Sequence, residues 1–386
     1  VRLEPVVGDD PREILRSLRS ALHGAGPALG LGMVRDAPTE VPAGTAVVVT
    51  TSGSTGVPKS VVLTRDALTA GALATADRIG DGAWLLALPP SYVAGLQVLV
   101  RSIVADREPA WLTGGFTPGA FTAAALMMLS TDRGTRVPTY TSLVPAQLTT
   151  LLDAAASDES VLRGLRSFEQ ILVGGQAVAP ATLERALDAG VRVVRTYGAT
   201  ETSGGCVYDG RPLRGVSVRI VEGEIQVAGP TLAEGYLGDP GATDLAFPRD
   251  PDGTRWYRTG DAGILEDDLL RVRGRIDNVI VSGGINVSLD RVERVVRSIP
   301  GLESAVVVGV PDARWGEASV AVVPRGEALR RSESVQLEEA RAAVTEEIGA
   351  HARPNRLVLV DEIATLPSGK PDREAIRAAV VALHRP

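Results

Sequence analysis

The chain of 386 residues contains one cysteine, three histidines and two lysines. A lone thiol, Cys206, excludes an internal disulfide, a CxxC pair and a cysteine-built zinc site. His23, His351 and His384 are scattered, which argues against a histidine metal cage. No apolar run approaches the roughly 20 residues of a membrane span. The best, Leu96–Ala105, is cut by Arg101. The opening VRLEPVVGDDPRE is acidic and has no signal-peptide core. Forty Lys+Arg against 47 Asp+Glu give a net charge of −7, without the basic footprint that general nucleic-acid affinity needs. These absences predict a cytoplasmic protein, an enzyme with neither nucleic-acid partner nor membrane span; a homo-oligomer is compatible with them.

Apolar residues at 44% and charged residues at 23% fit a globular chain, and the length predicts two or three domains. Of the 40 basic residues only Lys59 and Lys370 are lysine. Such a bias reads as GC-rich coding, under which lysine persists where a compact ammonium is wanted instead of a broad guanidinium fork.

Hydrophobic periodicity predicts a short helix around Ile14, Leu15, Leu18 and Leu22, and then a buried strand over Thr45–Thr50. Helices are expected at Arg65–Ile79, Gly95–Ala105, Pro145–Ala155 and Pro180–Ala189. Strands are expected at Trp84–Leu88, Thr139–Ser142, Gln170–Val173 and Arg192–Arg195. This alternation predicts an α/β architecture with parallel sheets. From about residue 213 the texture becomes β-rich, with a hairpin around Glu222-Gly223. Past Arg275 an α+β pattern begins. It comprises a helix at Leu289–Ser298, strands at Ser304–Val310, Ala318–Val323 and Arg356–Val360, a helix from about Ser334, and a last helix that Pro371 can open. The expected division is residues 1–275, including a β-rich subdomain over about 213–275, and a small mobile domain over 276–386.

The first buried strand runs into Thr50-Thr51-Ser52-Gly53-Ser54-Thr55-Gly56-Val57-Pro58-Lys59. Small hydroxyl residues and glycines let backbone N–H and hydroxyl groups wrap an anion, and the lysine adds charge. It is not a Walker loop, because Pro58 stands where that loop needs a flexible glycine that donates an N–H. Further along come Gly174-Gly175-Gln176, then Thr196-Tyr197-Gly198-Ala199-Thr200-Glu201 and Tyr257-Arg258-Thr259-Gly260-Asp261. Last come Arg273-Gly274-Arg275-Ile276-Asp277 and Pro367-Ser368-Gly369-Lys370.

In kind and order these segments resemble the motifs of the adenylate-forming superfamily of acyl- and aryl-CoA ligases, adenylation domains and luciferases. The resemblance implies a large N-terminal domain of layered α/β sheets and a mobile C-terminal lid. It implies ATP, Mg²⁺ and coenzyme A as cofactor and co-substrates, and an aromatic or acyl carboxylic acid as the small-molecule partner. Thr51, Ser52, Gly53, Ser54, Thr55, Gly56 and Lys59 would hold phosphates. Gly174, Gly175, Gln176, Tyr197 and Gly198 would line the adenine site. Thr200 would offer a hydroxyl to phosphate, Glu201 a hard oxygen to Mg²⁺, Asp261 and Arg275 contacts to ribose or phosphate. Asp277 would be the hinge, Gly283 and Gly284 the coenzyme A tunnel, and Lys370 the mobile cation of the first half-reaction. Lys370, Glu201 and Thr200 are thus the candidate catalytic residues.

The early phosphate loop and the stretch Gly204-Gly205-Cys206-Val207-Tyr208-Asp209-Gly210 resemble the o-succinylbenzoate–CoA ligase family of menaquinone biosynthesis. Tyr92, Gln97, Ser142, Arg195, Gly204 and Gly205 are the acyl-pocket candidates, and Cys206 reads as a small core filler. Alternatives are another aryl- or acyl-CoA ligase, an adenylation enzyme that loads a carrier protein, or a non-catalytic nucleotide-binding regulator. Tyr92, Val281, Leu289 and Arg291 depart from the superfamily's usual histidine, lysine, proline and glutamate.

Overall fold

A computed structural model describes all residues except 7, 33–37, 52–58, 133, 313, 326–332, 367–368 and 384–386. The N-terminal sheet takes Leu3–Pro5, Ala28–Leu31 and Thr45–Thr51 in parallel. It then turns antiparallel through Lys59–Thr64 and Gly235–Tyr236. The continuous run Ala46–Val49 is buried on both faces, as its unbroken apolar sequence requires. Helix Pro11–Leu22 starts where Asp10 accepts the Arg12 N–H and Pro11 fills the first turn; it buries Ile14, Leu15 and Leu18. The short strands before and after this helix carry no period-2 signal of their own and are formed by pairing.

Beside it stands a seven-stranded sheet. Its order is Arg211–Pro212, Gly204–Tyr208, Val193–Ala199, Gln170–Val173, Thr139–Leu143, Ala83–Leu86, Ala110–Trp111. The five strands from Val193–Ala199 onward run parallel, and the Gly204–Tyr208 and Arg211–Pro212 strands are antiparallel. Strand Val193–Ala199 extends beyond the expected Arg192–Arg195, so Tyr197 lies on the strand itself. Pairing with Gly204–Tyr208, with a register shift between Tyr197 and Gly198, supplies the extra length. Strands Thr139–Leu143, Gln170–Val173 and Val193–Ala199 thus end at one edge, where open α/β sheets offer ligand sites.

An antiparallel sheet of Ser217–Val221, Glu224–Ala228, Trp256–Glu266 and Leu269–Arg275 follows. The last sheet is built around Gly316–Pro324, with Val279–Ser282, Ile285–Ser288, Val306–Asp312 and Arg356–Val360 about it. Helices Leu289–Val296 and Glu333–Glu347 cover one face through Val292, Val296, Ala340 and Val344. Helix Arg373–Ala382 covers the other through Ile376 and Val380. It is opened by Asp372, which accepts the Ala375 N–H, and Pro371 sits one residue earlier, bridged to Thr365. The apolar cores up to Leu270 share no residue with those from Ile280 onward. No helix is long and apolar enough to cross a membrane among the described residues.

Glu293 is the buried polar anchor of the last sheet. It is 6% exposed, accepts the Val307 N–H at 2.9 Å, and pairs with Arg297 at 2.9 Å and Arg373 at 2.7 Å. Glu293→Ala removes the buried carboxylate that two guanidinium groups and an amide share, and is expected to cost about 3–5 kcal/mol in chemical denaturation. Glu293→Gln, which keeps an acceptor, should cost less.

Candidate active site

The hairpin of Thr45–Thr51 and Lys59–Thr64 brings Thr51 opposite Lys59, so both flanks of the phosphate-loop segment enter the site together. Ser52, Gly53, Ser54, Thr55 and Gly56 lie outside the described residues. The Lys59 ammonium sits 4.9 Å from the centre of the Tyr236 ring. Tyr236, on the short strand that pairs with the same hairpin, donates its hydroxyl to Glu201 Oε1 at 2.9 Å. Thr200 and Glu201 occupy a single helical turn after strand Val193–Ala199, and the Glu201 carbonyl accepts the Ala233 N–H at 2.8 Å. Burial raises the pKa of Tyr236, and the neighbouring Glu201 charge raises it further, so it stays a donor.

Across the cleft, Tyr197 donates to Asp261 Oδ2 at 2.7 Å, while Arg275 Nη1 approaches Oδ1 at 3.4 Å. The turn bearing Asp261 is held from within. Thr259 donates to the Ile225 carbonyl, Gly260 N–H binds Glu224, and Glu224 also takes Arg258. Desolvation raises the Asp261 pKa, opposed by the Tyr197 hydrogen bond and the Arg275 charge. Burial, followed by the charge of Asp261, raises that of Tyr197. Arg275 further donates to the Thr259 carbonyl at 2.8 Å and, through Nε and Nη2, to both oxygens of Asp277 at 2.9 Å. This fork-to-fork pair raises the Arg275 pKa.

Gly174 closes on the Leu143 carbonyl at the end of its strand, and half-buried Gln176 follows two residues on. Gly175 has φ +84, and a Cβ added there would lie 3.5 Å from Lys370 Cε: the lysine passes over this glycine. Lys370 is presented by a turn in which its carbonyl accepts the Leu366 N–H while Thr365 bridges Pro371. Although the residue is exposed at the cleft mouth, the protein around its ammonium strips water and lowers its pKa. Attraction to Asp261 and Glu201 opposes this, and Arg275 adds to it. The segments at 59, 175, 197–201, 261, 275 and 370 therefore converge on one cleft.

Other candidates are placed differently. Arg195 is exposed and ion-paired at 3.2 Å to Asp209, on a neighbouring strand end. Gln97 is buried, and its amide donates to the Ser203 carbonyl at 2.7 Å beneath Gly204. It pins the segment after Glu201. Ser142 is buried beside Leu172, Gly205 faces Thr196, and Tyr92 caps helix Val93–Val104 half-exposed, its pKa raised by partial burial. Cys206 is fully buried, which pushes its thiol up to about 11. Gly283 and Gly284 form an exposed hairpin turn whose backbone binds Trp315; no contact described for them reaches the Tyr197–Asp261 pair. Tyr236, Glu224 and Thr259 went unread in the sequence; Tyr236 belongs to a two-residue strand without local signal. No cluster of three metal-ligating residues occurs among the described residues.

Two tyrosines, two carboxylates and three cations around the carboxyl edge of a parallel sheet form a site for a nucleotide and an acid. Residues 12–237 match the model of AMP-binding enzymes and residues 291–370 that of the AMP-binding enzyme C-terminal domain. The chain therefore belongs to the AMP-binding enzyme family, within the adenylate-forming superfamily. It is 38% identical over 379 residues to a probable 2-succinylbenzoate–CoA ligase of Mycobacterium tuberculosis, with 94% of each chain covered. It is 28% identical to the 2-succinylbenzoate–CoA ligase of Enterococcus faecalis, over 84% of this chain and 67% of that one. Its fold is similar to that of the Bacillus subtilis O-succinylbenzoate coenzyme A synthetase in complex with AMP. That comparison has a TM-score of 0.70 and 26% identity, over 86% of this chain and 69% of the other.

With two lysines in the chain, competitive amine labelling read by mass spectrometry can titrate each separately. In the ligand-free protein Lys370 is expected to titrate below the ordinary lysine value of about 10.4. A Lys370 profile at or above that value would remove the crowding argued above.

Proposed function

We propose that the protein joins o-succinylbenzoate to coenzyme A, consuming ATP and releasing AMP and pyrophosphate through an acyl-adenylate, in the cytoplasm. The observation that carries the reading is the position of Lys370. It belongs to the C-terminal family segment, yet its ammonium stands within electrostatic range of Glu201, Asp261 and Arg275. The similarity to 2-succinylbenzoate–CoA ligases selects the acid.

In the first half-reaction a carboxylate oxygen bonds to the α-phosphorus of ATP, and the bond from that phosphorus to the bridging oxygen breaks as pyrophosphate leaves. Both partners are anions, so the requirement is positive charge where the new negative charge gathers. Lys370 supplies it from over Gly175, with Lys59, Thr51 and residues 52–56 on the outer phosphates and the Thr200 hydroxyl nearby. Gly174, Gln176, Tyr197 and Gly198 line the adenine side. Asp261 accepts from the ribose, whose hydroxyls compete there with Tyr197 and Arg275. Mg²⁺ would sit at Glu201, where Tyr236 is the one hydrogen-bond partner of the carboxylate among the described residues, and would add charge beside the phosphates. The acid is already ionised, so no general base is needed. In the second half-reaction the coenzyme A sulfur bonds to the acyl carbon, the thiol proton goes to solvent, and AMP departs. Lys370 must first withdraw. We assign that movement to rotation at Asp277, between domains 1–275 and 276–386, after which Gly283 and Gly284 line the pantetheine path.

Pyrophosphate exchange with o-succinylbenzoate, run beside a panel of other acids, tests the reading. Exchange is expected with this acid, followed by thioester on adding coenzyme A; exchange only with a different acid would move the substrate assignment. Lys370→Ala is expected to lower adenylate formation by about 10²-fold or more, while preformed adenylate still reacts with coenzyme A. Asp277→Pro should do the reverse, and equal loss of both half-reactions in either variant would contradict the mechanism.

A further inference from the structure

Beside the hinge lies a carboxylate that the proposed chemistry does not use. Asp290, in the first turn of helix Leu289–Val296, accepts the backbone N–H of Arg275 on Oδ2 at 2.7 Å. Its Oδ1 accepts Asn278 Nδ2 at 2.7 Å and lies 3.4 Å from Arg373 Nη2. Arg275 ends the strand before Asp277, Asn278 follows Asp277, and Arg373 lies three residues beyond Lys370. One side chain therefore ties together the strand before the hinge, the segment after it, and the turn that carries Lys370.

A backbone rotation at Asp277 carries Asn278, Asp290 and Arg373 as one body and leaves Arg275 behind. Of the bonds to Asp290 among the described residues, only the one from the Arg275 N–H crosses the turning point, and rotation must break it. It is short and charge-assisted, the stronger class of hydrogen bond. Gly274 makes the approach feasible. Its φ is +133, and a Cβ there would come within 2.5 Å of Asp290 Cβ, the rigid root of that side chain. The charge of Asp290 also has a reason. All three of its partners are donors, so an asparagine would turn an N–H₂ toward one of them.

Resting on the two-orientation reading above, we propose that Asp290 is a positioning residue that latches the small domain in the orientation holding Lys370 in the cleft. It acts on the balance between the half-reactions and touches no substrate.

A substrate-free reporter of this orientation is available. A Cβ at Gly369 would lie 3.5 Å from Val144 Cγ2, so the pair Val144→Cys/Gly369→Cys can form a disulfide in this orientation. The native Cys206 is buried and does not interfere. Crosslinking rate is compared in this parent, in the parent with Asp290→Asn, and in the parent with Gly274→Ala. The rate should fall about threefold or more in both latch variants, as the latched population falls. In the same substitutions made without the cysteines, pyrophosphate exchange should fall by a similar factor. Conversion of preformed adenylate to thioester should not fall. An unchanged crosslinking rate, no crosslink in the parent, or parallel loss of both half-reactions overturns the proposal. Should Asp290→Asn fail to fold by circular dichroism, Gly274→Ala, which keeps Asp290, carries the decision. If the wild-type protein shows no exchange with o-succinylbenzoate, the substrate reading fails, while crosslinking still decides the latch.

Discussion

The guanidinium of Arg275 is the constraint on which the site depends. Its fork closes on Asp277 while one nitrogen reaches the Thr259 carbonyl and Asp261. Asp261 lies in surroundings that raise its pKa through desolvation, and Arg275 and the Tyr197 hydroxyl oppose that rise by favouring the ionised form. With arginine there, a cation is present at every pH the protein meets, which a lysine in the same crowded place would not ensure. The same side chain ends the four-stranded antiparallel sheet and grips Asp277, two residues on, so the site's electrostatics and the segment after the sheet are tied to one group.

Much of the site was legible because its residues come in compact motifs at strand ends. Tyr197, Glu201, Asp261, Arg275 and Lys370 each sit in a segment whose neighbours explain it. A strand delivers the segment, a glycine lets it turn, and a short polar residue holds the turn. The parallel sheets were legible for a similar reason, since apolar runs such as Ala46–Val49 leave little choice of where to lie. Arg195 shows the limit. A cation at a strand end beside a motif can be read in one dimension, whereas its partner Asp209, 14 positions on along the returning strand, appears only in the fold.

Tyr236 and Asp290 were not legible, because their roles exist only across the fold. Tyr236 meets Glu201 from 35 positions away, and it reaches that place through two residues of strand pairing. Asp290 reaches Arg275 from 15 positions away because a glycine leaves space for it. Gln97 is a subtler case. The residue does lie beneath Gly204, one of the glycines expected to floor an acyl site, and its amide fixes the backbone after Glu201. A sequence gives a residue's chemistry and rough neighbourhood, while its free valences depend on who else arrives.

Cys206 lies on the strand directly below this region, without access to solvent and with its proton held to about pH 11. At neutral pH such a side chain stays in the thiol form. An enzyme that stores an activated ester while it waits for an outside sulfur runs the risk of acylating itself. Here the chain's one thiol is buried and held protonated, so it does not compete with the incoming sulfur.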